Sequence, residues 1–301
     1  MTTRTIEPGS RKLWYAAIKP PMYSVAVMPI WVGSAIAYAE TKTFNLPIFL
    51  TFLISAILIL AWENLSNDVF DSETGADVNK KNSLVNITGN KSLIFWISTL
   101  CLLLGLAGIA AIALQQRDFT VIGLILACCA IGYIYQGPPF RLSYQGLGEP
   151  LCFLAFGPLA FSAAYYSQTQ EWSLINLLAS VVVGMTTTLI LFCSHFNQVE
   201  DDAAIGKRSP VVRLGAKRAA ALLPWICGLV YLLISLSVIL KLFPSVTLLS
   251  WVSLPVAYHL CQFIGRQYHQ PQTLLTCRLI AVRLHFWSGL FLGLGFFLPW
   301  F

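Results

Sequence analysis

Long apolar runs, broken by brief polar punctuation, dominate this chain. Nine of them approach the roughly 20 residues that a helix needs to cross a bilayer. They cover residues 20–39, 47–66, 92–114, 119–136, 150–167, 174–196, 219–241, 246–264 and 284–301. The breaks between them fall at residues 40–42, 68–91, 115–118, 137–149, 168–171, 198–218, 241–245 and 266–283. The pattern predicts an all-α fold, a polytopic membrane protein of nine transmembrane helices, with residues 1–301 as a single domain.

Basic residues orient the layout. If the N-terminus lies on side one, that side also holds the loops after runs two, four, six and eight. Of the 19 Lys and Arg residues, only Lys42, Arg117 and Lys241 fall on side two. Lys and Arg collect in cytoplasmic loops, so side one is predicted to be cytoplasmic. Ten of the 13 acidic residues share that side, which topology alone does not require. One face of the protein is chemically rich, and the other is a set of short turns.

Composition agrees. The chain is 57% hydrophobic and 11% charged, against about 25% charged in soluble domains. The net charge of +6 therefore reports topology and not nucleic-acid binding, and no protein partner is implied. The eight cysteines show no Cys-x-x-Cys pair or zinc spacing and read as free thiols. Residues 1–12 are polar and lack a cleavable apolar core, so the mature chain is expected to begin near Met1, in a bacterial-type membrane.

Two polar clusters interrupt this economy. At the end of run two, Asn64, Asn67, Asp68 and Asp71 stand at i, i+3, i+4 and i+7. At about 100° per residue they share an arc of about 100° on one helix face. An Asp at the bilayer centre costs ~2.5–3.5 kcal/mol, and less near the interface. Such a face calls for a ligand, and hard oxygen donors suit Mg²⁺. At the end of run six, Asn197 and Asp201 repeat the i, i+4 spacing, with Asp202, Gly206 and Lys207 following. Two such helices facing each other would surround one pocket with oxygen donors for Mg²⁺ bridging a diphosphate. The bland alternative is a pair of helix-end caps, which the placement of both clusters on one side disfavours.

The loop after run four offers less. Pro138-Pro139 ends the helix. Arg141 is its only basic residue and could clamp phosphate oxygens. Gly146-x-Gly148 reads better as a turn than as a phosphate loop. Tyr135 suits a pocket wall and an interfacial aromatic belt equally well. Gly206 lets the backbone turn Lys207 back over the pocket. His195 suits a substrate contact or a histidine satisfied between helices, and Tyr133 is a further aromatic candidate beside the site.

The motif Asn67-Asp68-x-x-Asp71-x-x-x-Gly75-x-Asp77, with the second acidic loop and nine runs, resembles the UbiA superfamily of intramembrane aromatic prenyltransferases. The stretches 77–90, 195–202 and 206–215 look like its cyanobacterial and plant branch that acts on 1,4-dihydroxy-2-naphthoate. The resemblance implies transfer of a phytyl group from phytyl diphosphate to 1,4-dihydroxy-2-naphthoate, with loss of CO₂, giving demethylphylloquinone. It implies Mg²⁺ as the required ion. It implies catalytic roles for Asp68, Asp71 and Asp201, and metal contacts from Asn64, Asp68, Asp71, Asn197 and Asp201. The commoner family pattern puts a further acid where this chain has Ile205, so Asp202 is either a metal ligand or a loop cap. Asn67, Arg141, Lys207 and Tyr135 are expected at the diphosphate, and His195 and Tyr133 at the aromatic substrate. The chain is expected in the cell inner membrane or the thylakoid. Rival readings are another acceptor or chain length within the family, such as a menaquinone-type or homogentisate enzyme. In a different class, the rival is a lipid-diphosphate transporter or binding protein. A transporter more often places polar groups near the bilayer midplane.

Overall fold

The helices stop where the polar punctuation begins. In the computed structural model, residues 11–75 and 83–298 are described, without the side chains of residues 11–13 and 16. Short α1 (Arg11–Ile18) leads into α2 (Pro20–Thr41) and α3 (Leu46–Thr74). The short α4 (Leu84–Thr88) precedes α5 (Lys91–Gln116) and α6 (Thr120–Gln136). Then come α7 (Gly148–Thr169), α8 (Leu174–Asn197), the short α9 (Val199–Ala204) and α10 (Pro210–Leu214), and α11 (Ala216–Ile239). The chain finishes with α12 (Ser245–Gln267) and α13 (Pro271–Phe297). Among the described residues there is no strand. Eight of these helices are long and apolar enough to cross a membrane, and α6 is a shorter apolar helix between them. Asp77 of the motif above lies outside the described residues, as do Lys80 and Lys81.

Turn chemistry accounts for the two faces. On side two the helix ends are tight. Lys42, Arg117, Gln170 and Lys241 all take left-handed conformations, with φ from 54° to 58°, which closes a helix within one residue. Asn45 and Ser173 then cap the next helices through Ile48 N and Asn176 N, at 3.1 and 3.2 Å. On side one the connections are long and carry α4, α9, α10 and the 3₁₀ turn Leu142–Gln145.

Close helix approach holds the bundle. A Cβ on Gly105 of α5 would lie 2.9 Å from the Ser55 carbonyl of α3, so only glycine permits this contact. The final helix α13 packs on α2, α8 and α12, which brings the two ends of the bundle together. The outward side is apolar in stripes. Leu222, Trp225, Leu229, Leu232 and Leu236 on α11 are exposed at alternating spacings of three and four, the pattern of a lipid-facing helix stripe.

Several helix ends depart from the hydropathy reading: α3 continues to Thr74, past residue 66. The last helix starts at Pro271 and not near 284. Arg278 and Arg283 lower the hydropathy there without opposing helix formation, since Arg is a good helix former. The α8 helix stops at Asn197, and Gln198 leaves the helical region at φ −104°, ψ 5°. Asn197 and Asp201 therefore sit on successive helices and not on one continuous face.

Candidate active site

The predicted oxygen-rich face of α3 opens into a cavity of about 730 Å³. Leu60, Glu63, Asn64, Asn67 and Asp71 line it from α3. On a helical wheel these five cover about 100°. That is the expected face rotated by about 40°, with Glu63 inside it and Asp68 just beyond its edge. Asp68 is buried and is not among the lining residues. Its carboxylate accepts from Leu84 N at 2.9 Å and faces Lys19 Nζ at 3.4 Å. It thus ties the start of α4 to the residue that precedes α2. Lys19 itself lines the cavity.

The second cluster faces the first. Asn197, Asp201, Asp202 and Lys207 line the same cavity. Gly206 takes φ +75°, and the turn it permits lets Lys207 N donate to the Asp202 carbonyl at 2.8 Å. Asp202 is engaged on both oxygens, by His195 Nδ1 at 2.9 Å and by Lys207 Nζ at 3.2 Å. His195 is buried and its Nε2 lies 3.2 Å from Glu149 Oε1. It is therefore both a cavity residue and a histidine held between two carboxylates, one on α7 and one on α9. Burial favours the neutral Asp202 acid, but the His195 hydrogen bond and the Lys207 charge outweigh it and hold the carboxyl below its ordinary range.

One residue joins the halves. Tyr144, in the turn after α6, donates its hydroxyl to Asp71 Oδ1 at 3.0 Å and also meets Thr74 Oγ1 at 2.8 Å. Its carbonyl accepts from Arg208 N at 2.8 Å, and Lys207 Nζ lies 5.7 Å from its ring centroid. Burial and the neighbouring Asp71 charge push the phenol upward from its usual range, so it remains a donor.

Besides Asp68, two expected residues lie off the cavity wall. Arg141 is half-exposed, pairs with Glu73 at 3.3 Å and does not line the cavity. Tyr133 is exposed, donates to the Pro138 carbonyl at 2.7 Å and packs against Phe70. Tyr135, about 200° around α6 from Tyr133, does line the cavity, so helix geometry admits only one of the two.

Lys19, Glu63, Gln136, Tyr144 and Arg278 also line the cavity, and no functional role was read for them in the sequence. Glu63 carried a signal, an acid inside an apolar run. Lys19 and Arg278 look in the sequence like ordinary topology-setting cations.

The cavity has two kinds of wall. Toward side one it carries Asn64, Asn67, Asp71, Asn197, Asp201 and Lys207. Deeper, it is bounded by Leu60, Ile131, Leu151, Ala155, Phe156 and Ile190. Ala155 and Phe156 belong to a π-helical turn, Ala155–Leu159, in α7, a distortion frequent at functional sites. The oxygen donors also suit a hard cation. Asn64 Nδ2 is buried without a partner. Among the described residues no three His, Cys, Asp or Glu side chains cluster closely enough to hold a metal alone. Mg²⁺ commonly takes only one or two carboxylates and completes its shell with phosphate oxygens and water.

A helical membrane bundle with facing Asn/Asp clusters above an apolar cavity is the arrangement of an intramembrane prenyltransferase. The chain belongs to the UbiA prenyltransferase family, whose profile matches residues 26–289, and it is a prenyltransferase. It is 52% identical to the 2-carboxy-1,4-naphthoquinone phytyltransferase of Synechocystis sp., over 96% of this chain and 94% of that one. It is 42% identical to the chloroplastic enzyme of the same name from Arabidopsis thaliana, over 96% of this chain and 77% of that one. Among solved structures, a UbiA homolog from Archaeoglobus fulgidus bound to GPP and Mg²⁺ shares the fold. Its TM-score is 0.58 at 16% identity, covering 93% of this chain and 99% of that one.

Proposed function

We propose that this prenyltransferase moves a phytyl group from phytyl diphosphate to 1,4-dihydroxy-2-naphthoate with loss of CO₂, yielding demethylphylloquinone in its reduced form. One observation carries the reading. Two oxygen-rich helix ends, Asn64/Asn67/Asp71 and Asn197/Asp201, meet across a single cavity whose deeper wall is apolar. The names of the relatives from Synechocystis sp. and Arabidopsis thaliana support the phytyl group and the naphthoquinone-type acceptor. The solved Archaeoglobus fulgidus relative, described with GPP and Mg²⁺, supports the donor class and the ion.

Asp71 and Asp201 are the carboxylates for Mg²⁺, with Asn64, Asn67 and Asn197 beside them. When bound, Mg²⁺ supplies neutralisation of the diphosphate charge that grows as the allylic C–O bond breaks. Lys207 and Lys19 add positive charge at the same end of the cavity. Asp202 holds Lys207, and Asp68 holds Lys19. Arg141 is left out of this set because it is spent on Glu73 outside the cavity. The bonding pair leaves with diphosphate. The ring carbon bearing the carboxylate bonds to the allylic carbon, the bond to the carboxylate breaks, its electron pair returns to the ring, and CO₂ departs. Tyr135 and the apolar wall keep water from the allylic cation. We place the chain in the cell inner membrane or the thylakoid, with the polar end cytoplasmic.

The test offers 1,4-dihydroxy-2-naphthoate and homogentisate against phytyl, geranylgeranyl and solanesyl diphosphates, with and without Mg²⁺. Phytylated, decarboxylated naphthoate product formed only with the ion is expected. Preference for homogentisate or for the solanesyl donor would overturn the specific assignment.

A further inference from the structure

Arg278, near the start of α13, is a cation on the cavity wall that the scheme above does not use. Lys19 and Lys207 share that wall and face carboxylates, Asp68 at 3.4 Å and Asp202 at 3.2 Å. Among the described residues no hydrogen bond or ion pair reaches the Arg278 guanidinium. Its depth is set by its neighbour. Cys277 is buried, and its Sγ donates to the Cys193 carbonyl of α8 at 3.0 Å. Cys193 precedes Asn197 by one turn, about 6 Å along the helix axis. Arg278 therefore stands at the level between Asn197 and Ile190, where the oxygen-rich end of the cavity gives way to the apolar wall.

A cation beside apolar walls calls for an anion. In the function proposed above the diphosphate already meets Mg²⁺, Lys19 and Lys207. The acceptor brings a second anion. Its carboxylate sits on the ring carbon that attacks, and that carbon must reach the allylic carbon, one C–O bond from the diphosphate. The carboxylate is thus drawn toward a like charge inside a largely apolar cavity, where leaving it unpaired is costly. The planar guanidinium fork matches a carboxylate through two parallel hydrogen bonds. The ring carries this carboxylate in both its dihydroxy and its quinone form, so the match does not depend on oxidation state.

We propose that Arg278 holds the carboxylate of the aromatic acceptor and thereby selects the carboxylated ring over the same ring without that group. This deepens the function proposed above and rests on it. A site built to pair with a polar group rejects the analogue that lacks it, because its own polar group is left unpaired. The contact belongs to the bound acceptor and ends when the carboxylate departs as CO₂, so it acts on KM more than on turnover. The decarboxylated product is left without this anchor.

The test measures phytyl transfer to 1,4-dihydroxy-2-naphthoate anaerobically, and its competitive inhibition by 1,4-naphthalenediol, which has the ring without the carboxylate. Wild type, Arg278→Gln and Arg278→Lys are compared. Arg278→Gln is expected to raise the KM of the naphthoate about tenfold or more, and to leave the KM of phytyl diphosphate and the Ki of the diol within about twofold. Arg278→Lys keeps the charge without the fork and raises the same KM by less; it carries the test if the Gln variant does not fold. A naphthoate KM within about twofold of wild type in every variant that folds, with wild type active, overturns this inference alone. So does an equal rise in the KM of phytyl diphosphate, which would assign Arg278 to the diphosphate. A wild type that phytylates neither the naphthoate nor its quinone overturns the proposed function and this inference together.

Discussion

Tyr144 donates its hydroxyl to Asp71 at 3.0 Å while its own carbonyl accepts from Arg208 N at 2.8 Å. A turn that follows α6 therefore fastens the α3 cluster to the loop behind α9. Tyr144→Phe keeps the ring beside Lys207 and removes the hydrogen bond to Asp71. A hydrogen bond to a charged group contributes about 1.5–3 kcal/mol. We expect the KM of the prenyl diphosphate and the Mg²⁺ requirement to rise about tenfold, with the melting temperature lowered by a few degrees. Steady-state kinetics over a Mg²⁺ series checks this.

The two aspartates of α3 should separate. Asp71→Asn removes a cavity carboxylate and is expected to lower turnover by about a hundredfold or more while the protein stays folded. Asp68→Asn removes the buried carboxylate that faces Lys19 Nζ at 3.4 Å. Breaking such a pair costs about 3–5 kcal/mol, so this variant should lose thermal stability as well as activity. Thermal unfolding in detergent, beside the activity assay, distinguishes the two patterns.

Arg141 and Lys207 give a sharper contrast. Arg141→Ala breaks an exposed pair with Glu73, worth about 0–1 kcal/mol, and should leave kcat/KM within about threefold. Lys207→Ala removes a cavity cation and should lower kcat/KM by about tenfold or more. Equal losses in both would show that the diphosphate reaches farther toward Arg141 than this arrangement allows.

Acid should find Asp202. Its carboxyl is held below the ordinary range by His195 and Lys207 against the cost of burial. A depressed acid stabilises the fold at pH above its unfolded value, near about 3.9, and that contribution is lost as pH falls through the folded value. Wild type should therefore exceed Asp202→Asn in stability above about pH 5, with the gap closing below about pH 4. Unfolding midpoints across that window provide the check.

Hydropathy made most of the fold legible, because bilayer crossing is a local property of each run. The two clusters were legible for a related reason, since polar groups on apolar helices are costly wherever they occur. What local spacing did not supply was rotation and reach. A rotation of about 40° on α3 exchanges Glu63 for Asp68 at the cavity wall. The break at Gln198 separates Asn197 from Asp201, and no Pro or Gly announces it. Tyr144, Lys19 and Arg278 come to the cavity from distant segments, where the sequence shows only a loop tyrosine and two topology-setting cations.

The central claim is that the facing clusters on α3 and on the α8–α9 junction form one Mg²⁺-dependent diphosphate site. The most direct measurement is phytyl transfer to 1,4-dihydroxy-2-naphthoate by purified protein, with Mg²⁺ titrated in wild type, Asp71→Asn and Asp201→Asn. The account predicts no product without the ion, and a loss of about a hundredfold in either variant, though the residues lie on different helices. Ion-independent transfer, or near-normal turnover in either variant, would contradict it.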